Sequence, residues 1–179
     1  AVHRYLESPD LRGLLRASAY LTGVDFTNSW AERAWSFDGA FVRSQVVGSR
    51  VAITRTQRSS ARYYQRPDAR AIRFDSTREA LNGHAYQLAL TRNSGVHWLG
   101  GLVYQETSPG FEANDLGFQS SADRRAFSTS VIYKEDRPGK LVRNYFFNVL
   151  FTNHTWNFDG DRVFGSFGSF ISAQFPNFW

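Results

Sequence analysis

The sequence predicts an all-β fold: an antiparallel transmembrane β-barrel, or part of one. Three observations carry this. Apolar and polar residues alternate through most of the 179 residues, the period-two signature of strands whose two faces meet different surroundings. Aromatics are abundant, with sixteen Phe, eight Tyr and five Trp. The connections are short at one end of the strands and mostly long at the other, as in membrane barrels.

A first strand near Ala17–Thr27 is the least regular. In WSFDGAF, Trp35, Phe37 and Phe41 share one face, opposite Ser36 and Asp38. In HAYQLALTR, Tyr86, Leu88 and Leu90 oppose Gln87 and Thr91, and in HWLGGLVYQET, Trp98, Leu102 and Tyr104 align. In RRAFSTSVIYK, Phe127, Val131 and Tyr133 oppose Ser128 and Ser130. NYFFNVLFTNHTW predicts one apolar face from Tyr145, Phe147, Val149 and Phe151. RVFGSFGSFISAQF predicts another from Val163, Phe167, Ile171 and Phe175, while Gly165, Ser166, Gly168 and Ser169 suit a crowded interior or a close packing contact. This makes about seven strands of roughly nine to fourteen residues, longer than the usual five or six.

Single-chain bacterial barrels use even strand numbers from about eight upward. The odd count therefore implies either a further strand in His3–Leu15 or a contribution to a larger barrel. The whole chain, 1–179, is expected to be part of a single β-barrel domain. Its connections at TNSWAERA, RNSG and EDRPGK are short, whereas those at about 47–83 and 107–123 are long. NFDGDR is a tight hairpin with an Asp-Gly turn, and it falls on the long-loop side.

Alternation alone does not separate a barrel, with apolar residues turned to lipid, from a soluble sandwich with apolar faces in one core. Strand length and aromatics near strand ends (Trp35, Tyr86, Trp98, Tyr133, Tyr145 and Trp156) favour the barrel, where they would form interface girdles. The ending QFPNFW resembles a barrel's aromatic closing strand. No apolar run approaches the eighteen residues of a membrane helix. The start, AVHRYLESPD, has no signal-peptide core, so an exported protein would have lost its signal or carry it upstream.

The charge is localised. The chain carries +5, and the 47–83 segment accounts for all of it, with eight Arg against Asp68, Asp75 and Glu79. This points to one local partner or counter-surface and away from a nucleic-acid binder. Without Cys there is no disulfide frame, thiolate metal site or cysteine nucleophile.

Two segments, TQRSSARYYQRPDA (56–69) and TSPGFEANDLGFQSSADRR (107–125), resemble a family of bacterial outer-membrane proteins of unassigned function. In that family a carbohydrate-binding-like β-sandwich, similar to the family-9 xylan-binding modules, precedes a large C-terminal β-barrel domain. Nothing here matches the sandwich. The resemblance implies an internal piece of the barrel and an outer-membrane location, with no established activity.

Within the basic segment, Arg55, Arg58, Arg62 and Arg66 recur at helical spacing, which predicts one short helix ended by Pro67. The four could line the lumen and attract anionic solutes or oligosaccharides, or touch lipopolysaccharide phosphates. Alternatively the helix folds into the lumen, its arginines paired with carboxylates such as Asp38 or Glu106 and Ala61 and Tyr64 packed behind. In FEANDLGF, Glu112, Asn114 and Asp115 offer closely spaced oxygens but lack the D-x-D-x-D-G ladder of a calcium loop. Phe111, Leu116 and Phe118 read as anchors of a structural loop that includes Asp115. His3, His84, His97 and His154 lack metal spacing, and no G-x-S-x-G elbow or phosphate loop occurs. No enzyme activity, metal or cofactor is expected.

The sequence thus points to an outer-membrane barrel segment, a passive channel or a transport or anchoring scaffold, contacting lipid and with a basic loop narrowing its interior. The alternative is a soluble all-β carbohydrate-binding module.

Overall fold

The structure, a computed structural model, describes residues 1–177. Phe178 and Trp179, which complete the closing aromatic motif, lie outside the described residues. The chain forms one eight-stranded antiparallel sheet in strict sequence order. β1 is a two-residue strand, Val2–His3, followed by a short helix α1 at Pro9–Leu14. β2 (Ser18–Trp30) and β3 (Trp35–Val47) pair along their whole length. Helix α2 (Arg50–Arg58) precedes β4 (Ala80–Arg92), and β5 (Trp98–Thr107), β6 (Arg124–Glu135), β7 (Asn144–Trp156) and β8 (Arg162–Gln174) complete the sheet.

The seven long strands follow the alternating runs, and the region His3–Leu15 supplies a sliver of strand and a second helix. The sheet is not closed into a barrel: β8 pairs only with β7, and β1 covers only Ser18 and Ala19 of β2. Two long strand edges are therefore open among the described residues.

Cross-strand register defines two faces. One carries Phe26, Gly39, Leu88, Tyr104 and Phe127 side by side. The other carries Ser36, Thr91, Gly101 and Ser130 in one row. One expectation fails here. Val131 pairs with Leu150 and Ile132 with Asn148, leaving Val149 as an extra residue in β7. Such a bulge reverses side-chain direction relative to a straight strand. Tyr145 and Phe147 stay on the apolar face, but Phe151, opposite Ser130, lies on the polar one.

The buried core is small and lies at one end of the polar face. Ala19, Val46 and Leu81 from the strands meet Ile53, Tyr64 and Ile72 from the β3–β4 connection. Gly83 shows why that loop end can be dense. It lies beneath Gly110 and Phe111 of the β5–β6 connection, whose backbone a Cβ at 83 would overlap.

Candidate functional site

The long connections and the N-terminal segment converge on this end of the sheet. Helix α2 starts at Ser49, whose hydroxyl accepts from the Ala52 amide at 3.2 Å, a standard helix N-cap. It buries Ala52, Ile53, Thr56 and Gln57. The Gln57 side chain donates to the Asp75 carbonyl at 2.8 Å and accepts from the Asp75 amide at 3.0 Å, folding the rest of the loop back onto the helix.

The helix ends at Ser59, whose hydroxyl donates to the Thr56 carbonyl at 2.8 Å. Ser side chains compete for backbone partners in this way and disfavour continuation of a helix. The chain then turns, with Tyr63 at φ 48°, and delivers Tyr64 to the core. The predicted helix over Arg55–Arg66 is thus wrong at both ends: α2 starts at Arg50 and stops eight residues before Arg66.

The four arginines are consequently not one stripe. Arg55 and Arg58 are exposed on α2, Arg58 with its guanidinium 4.6 Å from the Phe74 ring. Arg62 is buried, Nη2 donating to the Phe111 carbonyl at 2.6 Å and lying 2.7 Å from Glu112. Arg66 reaches Asp123 at 2.9 Å and Asp159 at 2.7 Å.

Two further arginines, not singled out from sequence, join them. Arg16 bridges Glu112 (3.4 Å) and Asp115, and Arg4 reaches Asp115 at 2.9 Å. Arg4, Arg16, Arg62 and Arg66 thus face Glu112, Asp115, Asp123 and Asp159, four cations against four anions. Asp115 takes both its ion-pair partners, Arg4 and Arg16, from the N-terminal segment. Phe111 is a buried anchor; Phe118 is 90% exposed and anchors nothing, and Leu116 is also exposed.

The expected partners Asp38 and Glu106 are engaged elsewhere. Asp38 accepts from Thr27 Oγ1 at 2.8 Å. Glu106 lies on the apolar face, where it accepts from the Tyr104 hydroxyl (3.0 Å), the Tyr86 hydroxyl (3.2 Å) and Arg125 (3.2 Å), with His84 at 3.0 Å.

Electrostatics follows burial. Desolvation pushes the Arg62 guanidinium below its usual value, and the Glu112 charge opposes this. Burial also raises the Tyr64 phenol. At Arg66 burial acts downward, but the Asp159 hydrogen bond and the Asp123 charge prevail and raise it. At Asp159 burial acts upward, but amide bonds from Ala71 and Arg70, with Arg66, hold the carboxyl below its usual range. Asp159 thereby ties the NFDGDR hairpin to the basic loop.

Away from this cluster of loops, the polar face is open. A concave space of about 640 Å³ lies over β4–β8, bordered by Thr91, Ser128, Ser130, Asn153 and Ser166 with Phe151 and Phe164. Among the described residues, no three His, Asp or Glu converge in a metal-binding group.

The family model described as a domain of unknown function, DUF5916, matches residues 22–179. The chain belongs to that family. The DUF5916 match starts within β2 and takes in both long connections and six further strands, leaving β1 and α1 before it. Comparison with curated proteins and with solved structures returns no match.

Proposed function

We propose that this DUF5916 domain is a sector of an outer-membrane antiparallel β-barrel, serving as a passive channel or as a transport or anchoring scaffold, with residues 48–79 plugging one end of its interior. The observation that carries this reading is the exposed apolar face. Val24 (70%), Phe26 (48%), Phe41 (45%), Leu102 (45%) and Ile171 (67%) stand uncovered on it. The opposite face is rich in Ser, Thr and Asn and takes the loops. A water-soluble sheet buries its apolar side; here that side meets no second layer, which suits lipid.

Aromatics bracket the apolar band. Trp30 and Trp35 stack at 6.3 Å, and Trp98, Tyr133 and Tyr145 follow one another at 5.0 and 6.0 Å. Towards the plug end come Tyr86 with Tyr104 at 5.7 Å and His154 with Trp156 at 5.8 Å. Trp98 to Tyr104 spans six residues of strand, about 20 Å, which at the tilt of barrel strands covers about 15 Å of the apolar band's height of about 25 Å.

Closure follows from direction. β2 and β8 are separated by an even number of antiparallel steps and so run the same way. They cannot pair with each other antiparallel; an all-antiparallel barrel needs an odd number of strands between them, of which the two-residue β1 beside β2 is one.

The plug's paired charges make it a lumen wall and leave, of the four arginines at helical spacing, Arg55 and Arg58 for anionic solutes or lipopolysaccharide phosphate. The test is extraction and gel mobility of the protein that carries this sector together with the strands that would close it: a barrel requires detergent and migrates differently before and after boiling. A chain that is monomeric and soluble without detergent overturns the reading and favours the carbohydrate-binding alternative.

A further inference from the structure

The concave space over β4–β8 has a lining unlike the plug beside it. Its two central rows are Val103, Ser128, Asn153 and Ser166, and then Thr91, Gly101, Ser130 and Phe151. No carboxylate or lysine borders it. Arg92 contributes to the rim, but its guanidinium lies 5.6 Å from the Trp35 ring, a residue of the opposite face.

Small residues at Gly101, Ser128, Ser130 and Ser166 create the room, and two Phe rings stand part-exposed beside them, Phe151 at 38% and Phe164 at 52%. Asn153 Oδ1 is buried with no hydrogen-bond partner.

We infer that this cavity binds an uncharged polyhydroxyl solute, of the size of a disaccharide. The volume lies within the usual range of small-molecule sites, which join apolar walls to a few placed polar groups. Sugar hydroxyls exchange hydrogen bonds with Ser128, Ser130 and Ser166 and with the part-exposed side chain of Asn153. The C–H face of the ring covers Phe151 or Phe164. A cationic ligand would lose hydration here without gaining a counter-ion, and an anion would meet only Arg92 at the rim, whose guanidinium is held towards Trp35 and whose Nε is buried without a partner. The assignment rests on the concave face being the interior of the proposed barrel, and it makes that interior selective for neutral sugars where the arginine-rich sequence suggested anions.

The experiment is isothermal titration calorimetry on the whole chain, in a zwitterionic detergent without a sugar headgroup. Maltose and cellobiose are the neutral probes and glucose 6-phosphate the anionic one. Saturable binding of at least one disaccharide is expected, with glucose 6-phosphate weaker by about tenfold. Asn153→Leu should weaken the disaccharide by about fivefold, whereas Lys140→Ala, in the exposed EDRPGK turn, should leave it unchanged. Ser166→Val is the companion variant if Asn153→Leu does not fold.

Absence of heat with both disaccharides overturns the inference, as does glucose 6-phosphate binding equally well or insensitivity to both cavity variants. A chain soluble without detergent that still binds through Asn153 refutes the membrane reading and keeps the cavity assignment. A heat-modifiable chain that ignores both sugars refutes the cavity assignment alone.

Discussion

Glu112 is 2% exposed and holds two guanidinium groups, those of Arg62 and Arg16. A buried pair of this kind adds little over an apolar pair of similar volume, but removing one partner strands the other in a medium that solvates it poorly. Glu112→Gln is therefore expected to destabilise the loop end by about 3–5 kcal/mol. The double variant Arg62→Met with Glu112→Leu should recover most of that. Chemical denaturation reads both, and a single variant no worse than the double contradicts the argument. Asp159 supplies a pH dependence with a definite sign. Its folded-state carboxyl sits below the usual range, so its contribution is complete above the unfolded value near 4 and is lost as pH falls through the folded value. The protection of the Ala71 amide relative to its intrinsic exchange rate should fall over that acidic window, and Asp159→Asn should remove the dependence. These residues were only half legible in the sequence. The acidic loop and the basic segment both stood out, but the pairing of 62 with 112 and of 66 with 159 depends on loop paths that no local pattern encodes.

At the scale of elements, the strands were readable because one face of each repeats at period two, and that signal survives whatever covers the face. Arginine spacing misplaces the helix because it carries no capping information. Ser49 and Ser59 mark its ends, and both are visible in the sequence, but the apolar residues it buries are only Ala52 and Ile53. The β7 bulge was also hidden: an extra Val in an aromatic-rich run looks like any other strand residue. Gly83 is the element-level position most open to test. An added methyl there must displace the backbone of Gly110 and Phe111, which neither flexes nor repacks cheaply. Gly83→Ala should cost about 1–3 kcal/mol, the usual range for overpacking. It should lift the 108–123 connection off the sheet, seen as faster proteolysis there with strand content unchanged by circular dichroism. Resistance equal to the parent would mean that the loop is held mainly by its ion pairs.

For the whole molecule, the sheet joins neighbours in sequence throughout, and the plug does the opposite. Strand order and the end at which the long loops gather follow from alternation and loop length. The two open edges do not, because edge formation depends on what lies beside a strand and not on the strand itself. The ion pairs of the plug link positions far apart, Arg16 with Asp115 across 99 residues and Arg66 with Asp159 across 93. Hairpins close early because their loops are small, whereas contacts across such separations wait until the intervening chain is ordered. The plug is therefore the last part to assemble and the first to let go. Interactions absent from the folding transition state act on the unfolding rate and leave the folding rate alone. Glu112→Gln should accordingly steepen nothing in refolding kinetics while shortening the native lifetime, as stopped-flow unfolding would read it. The charged knot at one end of the sheet is in this sense a latch on kinetic persistence, fastened after the strands have found their order.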